Sequence, residues 1–439
     1  MQKLRVRLIG AVAFGAASVL STAALAGVTI INPFSDMNPS LAVTMVTPQQ
    51  GIFPSNGGNG SASGDTLGFV YNFGGNFAPG TSYNLQGQSL PIAPNTAIFS
   101  LVGTTYGGNG TSNFNLPNLQ GATPIGAGLP GQQLGVPVGA SSVSLTPAQI
   151  PTQSQAAQPF NTQQPALPLT PLIAVSGVFP SQGGGGGSAA FIGQVADFAG
   201  NFTPDGWLPA AGQILSISQN VALFSVIGTT YGGNGTTTFA LPDLEGRTMV
   251  GADQADPLGT AFGHASTALT LSELPPGGAP VNIEQPALAL NYIIAISGIF
   301  PSQGGGAGFN ANIPTLGQIS AFAGDFAPSG WALADGQLLS ISQYSALFAV
   351  IGDTYGGDGI TTFALPNLDG RTLIGADGAD PVGTTLGANE VVLTGSAATV
   401  PEPAAWALML LGVGLTGGLL RRRARAGGEV QSLRPAAAA

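Results

Sequence analysis

The sequence predicts an α+β protein made of three tandem copies of one unit: a strand, a turn, a short helix, a glycine-rich loop and further strand. Three observations predict it. Residues 193–253 and 317–377 align at a constant offset of 124 without a gap, identical at 41 of 61 positions. A more divergent copy, 68–128, aligns with the second at an offset of 125. Within each copy the apolar pattern changes from period two to three-four spacing, the mark of a strand followed by a helix. Fixed-offset repetition means that one supersecondary unit is reused.

In the third copy, 317–324 (GQISAFAG) alternates with period two and reads as a strand, with Pro328-Ser329-Gly330 as the turn after it. A helix of about ten residues follows. Ser342 is placed to cap it, Tyr344, Leu347, Phe348 and Ile351 share one face, and Gly352 suits the left-handed position past its end. So short a helix needs tertiary packing to hold it. The run Thr354-Tyr355-Gly356-Gly357-Asp358-Gly359 permits positive φ at several positions, and Phe363-Ala364-Leu365-Pro366 is extended, its proline confining it to an edge or strand end. Between copies, 165–182 recurs as 286–303 and, more weakly, as 39–55; the apolar stretch 292–300 reads as a buried strand. The expected order is a signal peptide at 1–26, an N-terminal strand and glycine-rich linker at 27–60, and the first copy at 61–128. A linker with a strand at 129–188, the second copy at 189–253, and a second such linker at 254–312 follow. The third copy at 313–377, a linker at 378–399, a sorting signal at 400–426 and a tail at 427–439 complete the chain.

Composition narrows the function. Only 7% of the 439 residues are charged, and 68 glycines and 34 prolines make turns plentiful, while 44% apolar content argues against disorder. Between 27 and 399 the basic residues are Arg247 and Arg371 alone against 18 acids, a formal balance of −16. Such a body cannot neutralise phosphates, so nucleic acid is excluded as a partner. Its acidic exterior suits solubility and, at most, divalent cations. There is no cysteine, hence no disulfide, thiol nucleophile or cysteine-based metal site.

Both ends carry addresses. Residues 1–26 have a basic start, an apolar run and the small-x-small triplet Ala24-Leu25-Ala26, the three-part pattern of a cleaved secretory signal. Near the other end, 404–420 contains 17 residues without a charge, followed by Arg421-Arg422-Arg423. As a helix it would reach about 25 Å, the lower limit for a membrane span, with the arginines on the cytoplasmic side. Pro401-Glu402-Pro403 stands just upstream. This triplet, span and arginine cluster resemble the PEP-CTERM sorting signal of Gram-negative bacteria that make extracellular polysaccharide. The resemblance implies an exosortase-type partner, removal of the hydrophobic tail, and release or anchoring at the outer surface. A plain single-pass anchor is the alternative, and either places 27–399 outside the cytoplasm.

The copies themselves carry a second resemblance. Phe326-Ala327-Pro328-Ser329-Gly330-Trp331, Asp335-Gly336-Gln337, Ala346-Leu347-Phe348, Tyr355-Gly356-Gly357-Asp358-Gly359 and Thr362-Phe363-Ala364-Leu365-Pro366-Asn367-Leu368-Asp369-Gly370-Arg371 resemble the phage tail collar domain, in the form found in the microcystin-dependent-protein group. The resemblance implies a small α+β unit of trimeric tail fibres and secreted bacterial proteins, with no established catalytic role. The first copy departs from the motif, with Ser82 in place of Trp207 and Trp331 and Ala122 in place of Arg247 and Arg371.

Chemistry is sparse. His264 is the sole histidine and its counterpart in the third copy is Ala388, so it reads as a solvated loop residue with no partner for a metal or a catalytic triad. Asp197, Asp205, Asp243 and Glu245 offer acid pairs, yet the third copy has Ala321 and Ser329 at the first two positions. The loops around Gly233 and Gly357 lack a following lysine and read as turns rather than phosphate cradles. Asp253, Asp256, Asp377 and Asp380 recur in matching segments, either as turn caps or as calcium ligands; no other cofactor is expected. Arg247 and Arg371 are expected to pair with the carboxylates beside them. Trp207, Trp331, Tyr231 and Tyr355 are candidate ligand-contact or core aromatics, with the core favoured for the tryptophans.

The resulting expectation is an exported surface or matrix structural protein, not an enzyme, displaying collar-like units for adhesion or for association with exopolysaccharide or a surface protein. A secreted carbohydrate-active hydrolase and a phage tail fibre component are the alternatives. By analogy with a fibre trimer, the strand in 39–55 is expected to complete the third copy and close the chain as a single-chain pseudo-trimer; three beads on glycine-rich linkers are the competing arrangement.

Overall fold

The described residues begin with β1 (Val28–Ile31) and the nine-residue β2 (Ser40–Pro48). The first copy supplies β3 (Tyr71–Phe73), α1 (Thr96–Val102) and β4 (Thr123–Gly126). A second nine-residue strand, β5 (Ala166–Ala174), leads into β6 (Gln194–Phe198), α2 (Val221–Ile227) and β7 (Thr248–Gly251). A third, β8 (Ala287–Ala295), leads into β9 (Gln318–Phe322), α3 (Ser345–Ile351) and β10 (Thr372–Gly375), and β11 (Gly395–Ala398) follows. This computed structural model describes residues 28–398 apart from 55–65, 81, 153–154, 182–189, 276–277 and 302–312. The signal peptide, Pro401-Glu402-Pro403 and the apolar run 404–420 lie outside the described residues. The fold is α+β with strands dominating, and no helix among the described residues is long and apolar enough to cross a membrane.

Each nine-residue strand serves two copies. The first four residues of β5 run parallel to β4 of the first copy, Ala166 opposite Thr123, and the remainder runs antiparallel to β6 of the second, Thr170 opposite Phe198. β8 repeats this with β7 (Ala287 opposite Thr248) and β9 (Asn291 opposite Phe322). β2 pairs with β10 of the third copy (Ser40 opposite Thr372) and with β3 of the first (Thr44 opposite Phe73). Each long strand is thus shared between two copies. All three long strands are buried on both faces except at their fifth residue, which accounts for their predominantly apolar sequences. That fifth residue is polar each time and bonds a backbone carbonyl: Thr44 Oγ1 to Gly75 (2.6 Å), Thr170 Oγ1 to Gly200 (2.9 Å) and Asn291 Nδ2 to Gly324 (2.8 Å).

The copies also meet directly. β6 pairs with β9, β9 pairs with β3, and the Val70 amide donates to the Asp197 carbonyl at 2.9 Å. At β4, β7 and β10 the backbones approach closely. The Gly126 amide donates to Arg247, Gly251 to Arg371 and Gly375 to Ala122, at 2.9–3.1 Å. In return Gly246 donates to Gly126, Gly370 to Gly251 and Gly121 to Gly375. A Cβ on Gly126, Gly251 or Gly375 would lie 1.8–2.0 Å from a leucine carbonyl oxygen of the neighbouring copy, so glycine is required by space. Thr123, Thr248 and Thr372 hydroxyls form a triangle with sides of 3.0, 3.0 and 3.3 Å. One continuous core draws Phe73, Phe114, Phe239, Phe322 and Phe363 from all three copies. A smaller one gathers Ile31, Phe34, Phe160, Leu269, Val281, Ile283 and Leu393 beside the antiparallel pairing of β1 with β11.

Local detail goes beyond the sequence pattern at three places. The strand expected in 317–324 is β9, and although alternation ordinarily marks one solvated face, β9 lies between neighbours and its polar Gln318 and Ser320 are interior too; Gln194 Nε2 donates to Ser320 Oγ at 3.0 Å. The helix has seven residues, not ten: Tyr344 sits at φ −123°, ψ 39°, and the Ser342 hydroxyl meets that of Ser340 instead of capping. Gly352 ends it at φ 60°, ψ −147°, outside the left-handed helical region but still in glycine territory. The strand expected at 292–300 is β8, which begins earlier and leaves Phe300 about half exposed.

Candidate binding site

The aromatic candidates belong to the frame. Trp207 and Trp331 begin the short strands Trp207–Pro209 and Trp331–Leu333, which pair with β5 and β8. They are only 5% and 4% exposed. Trp207 packs on Phe69 with centroids 4.8 Å apart, and Trp331 on Phe191 at 5.6 Å, edge-on. An indole so enclosed has no open face for a sugar. Tyr231 and Tyr355 tie one copy to another, their hydroxyls donating to the carbonyls of Ala323 (2.9 Å) and Gly74 (2.8 Å); Tyr106 does the same to Ala199 at 2.8 Å. Burial pushes all three phenols well above their ordinary range.

The loops are held by their own side chains. Asn234 Oδ1 accepts from the amides of Thr236, Thr237 and Thr238, and Asp358 Oδ1 from those of Ile360, Thr361 and Thr362. The Thr361 hydroxyl, then these amides, hold the Asp358 carboxyl below the usual range. Asp253 Oδ1 accepts from Ala255 and Asp256, each at 2.8 Å, and Asp377 Oδ1 from Ala379 and Asp380 at 2.7 and 2.8 Å. These are turns closed by an aspartate. Among the described residues no group of three or more acidic or histidine side chains is placed to hold a metal ion.

The two arginines differ. Arg247 Nη1 meets Asp243 Oδ2 at 2.5 Å and the Asp243 carbonyl at 3.0 Å, the one ion pair among the described residues. Arg371 does not form the expected pair with Asp369; its Nη1 donates to the Asn367 carbonyl at 3.2 Å, because Asn367 stands where the second copy has Asp243.

Chemistry converges beside Arg247. A cavity of about 460 Å³ opens between the 129–132 turn that directly follows the first copy, the second copy's 245–247 bend and the 261–266 segment. Glu245, Arg247, His264 and Gln132 line it, with Phe262 and Leu129 as apolar walls. His264 is exposed but its backbone is pinned on both sides: its amide donates to Glu284 at 2.8 Å and its carbonyl accepts the Thr162 hydroxyl. Gln132 is 7% exposed and its Oε1 is buried with no hydrogen-bond partner among the described residues. Reading the sequence missed this grouping, since His264 lies in a linker and Gln132 stands outside the motif; only their rarity in an acidic body singles out Arg247 and His264. A second cavity of about 350 Å³, between the first and third copies, includes Asn84, Gln86, Gln120 and Asp377, the last already committed to its turn.

No curated protein and no solved structure matches the chain. Family models match at 68–124, 193–249 and 317–373 (Phage Tail Collar Domain) and at 399–424 (PEP-CTERM protein-sorting motif). The sorting motif indicates export, surface sorting and recognition by an exosortase-type system. With three matched segments sharing strands and one backbone seam, the chain is a secreted surface structural protein carrying three phage tail collar domains and a PEP-CTERM sorting motif.

Proposed function

We propose that the protein is a rigid display frame, a single-chain counterpart of a trimer, that associates with exopolysaccharide at the cell surface and catalyses no reaction. One observation carries the frame: the contacts that join first copy to second and second to third recur between third and first, through β2 with β10, Tyr355 with Gly74, and Gly375 with Ala122. An arrangement that reuses one contact set three times specifies a shape, and no acid–base set recurs with it. Loops displayed three times at fixed positions can engage a repetitive polymer with a gain from effective concentration, which suits such a partner.

A glycan array probed with the mature secreted protein, with and without calcium, tests the association. Retention on bacterial exopolysaccharides is expected. Retention by protein extracts but by no glycan moves the reading to a surface protein, and turnover of a glycan, abolished by one carboxylate substitution that leaves Tm unchanged, replaces the display frame with a hydrolase.

A further inference from the structure

We infer that the cavity between the first and second copies binds an acidic sugar residue, its carboxylate on Arg247 and His264 and its hydroxyls on Gln132 and Glu245. This deepens the exopolysaccharide reading and rests on it for the source of the ligand. Nitrogen bases are scarce in this body. Between 28 and 398 the chain has two arginines, one histidine and no lysine, and two of those three nitrogen bases line one cavity. Both bonds from Arg247 to Asp243 leave through Nη1, so the ion pair fixes the guanidinium without using its whole donor edge. His264 is held by backbone bonds to Glu284 and Thr162, which fixes where its exposed imidazole leaves the chain at the rim of the cavity.

The acceptors then narrow the ligand. Gln132 Oε1 is a buried acceptor lacking a donor, a costly condition that a ligand hydroxyl relieves. Its turn is fixed by the Gln132 amide on the Leu129 carbonyl at 2.9 Å, and Gly246 keeps the wall close, since a Cβ there would meet Gln132 Oε1 at 2.9 Å. Glu245 adds a carboxylate on the exposed side. The phosphate dianion meets Glu245 with twice the charge of a sugar carboxylate and carries a single hydroxyl to share between Gln132 and Glu245. A neutral sugar leaves the two bases unused. A ligand that carries one carboxylate and several hydroxyls satisfies both halves, and Phe262 and Leu129 suit the C–H face of its ring. The volume, about 460 Å³, falls within the roughly 300–1,000 Å³ of small-molecule sites. The site occurs once: where the second copy has Arg247 the first has Ala122, and where the linker has His264 the third copy's following segment has Ala388.

The test is calorimetric titration of the mature protein with glucuronate, and with glucose, acetate and inorganic phosphate as separate arms. Glucuronate should bind with a Kd of about 1 mM, and each of the others at least about tenfold more weakly. His264→Asn and Gln132→Leu should each weaken glucuronate about tenfold while leaving Tm unchanged or, for Gln132→Leu, slightly raised. Arg247→Lys, which keeps the charge but loses the fork, should do likewise and serves as the milder variant should Arg247→Gln fail to fold. Equal affinity for acetate or phosphate, or glucuronate binding indifferent to His264→Asn and Gln132→Leu, overturns the site. Glucuronate binding without retention of any polysaccharide supports the site and removes the exopolysaccharide association. Polysaccharide retention without glucuronate binding leaves that association in place and overturns the site.

Discussion

Asp197 is the residue on which the pH response of the fold turns. It is 4% exposed, stands in β6 among neighbouring strands, and burial pushes its carboxyl up to about 7 from 3.8. Asp36, also interior, is pushed up to about 7 for the same reason. The folded chain therefore takes up protons between about pH 7 and 3.8 that the unfolded chain does not, so the stabilisation is fully present below 3.8 and is lost as pH rises through 7. Thermal melts should show Tm rising as pH is lowered from 8 toward about 4.5, opposite to the usual acid response of paired carboxylates. Asp197→Asn, which supplies the residue the first copy has as Asn72, should raise Tm at pH 8 and flatten the slope; an unchanged slope refutes the assignment. Trp331 gives the contrasting residue-scale expectation. Trp331→Ala removes an interior indole packed on Phe191 and should cost about 3–5 kcal/mol in denaturant unfolding, without changing glycan retention by the protein that remains folded.

At the scale of elements, the seam strands β4, β7 and β10 tolerate nothing larger than glycine at their last position. Gly251→Ala puts a methyl 1.9 Å from the Leu368 oxygen and must part the second copy from the third, at a cost of about 3 kcal/mol; Gly352→Ala, with open space around it, should cost less, through backbone strain alone. Paired denaturant titrations decide the order, and equal losses would show that the seam yields. The sequence carried part of this and not the rest. Repeat boundaries, the short helix and the buried linker strand were readable because identical positions such as Phe239 and Phe363 mark an interior face whatever its partner. The seam was not, since Gly126, Gly251 and Gly375 look like ordinary turn glycines until another copy's carbonyl is seen against them. The burial of both faces of β9 was hidden for a related reason: alternation implies a solvated face only when no second sheet neighbour covers the polar residues, and Gln318 and Ser320 are covered. The binding cavity was the least legible feature, because it joins residues 129–132 to 245–247 and 261–266 through tertiary contact alone.

For the whole molecule the proposed closure makes a demand that separate beads do not. β2 pairs with β10 and β3 at once, so deleting 40–48 should strip hydrogen-exchange protection from both the first and the third copies while β7 and β8 keep theirs. Separate beads would leave the third copy untouched. A stricter consequence follows from the antiparallel pairing of Val28 with Ala398, which brings the two ends of the described chain together. In a closed frame the position of the chain break is arbitrary, provided that it spares the shared strands β2, β5 and β8. A circular permutant that joins 398 to 28 through a short glycine–serine linker and opens inside the Gly183–Gly187 run should fold and melt within about 5 °C of the mature protein. Opening instead within β5, between its parallel half on the first copy and its antiparallel half on the second, should abolish the cooperative transition, since one covalent strand then no longer bridges the two sheets. If both permutants melted alike, the shared strands would not be what unites the copies, and the frame would owe its cohesion to the glycine seam alone.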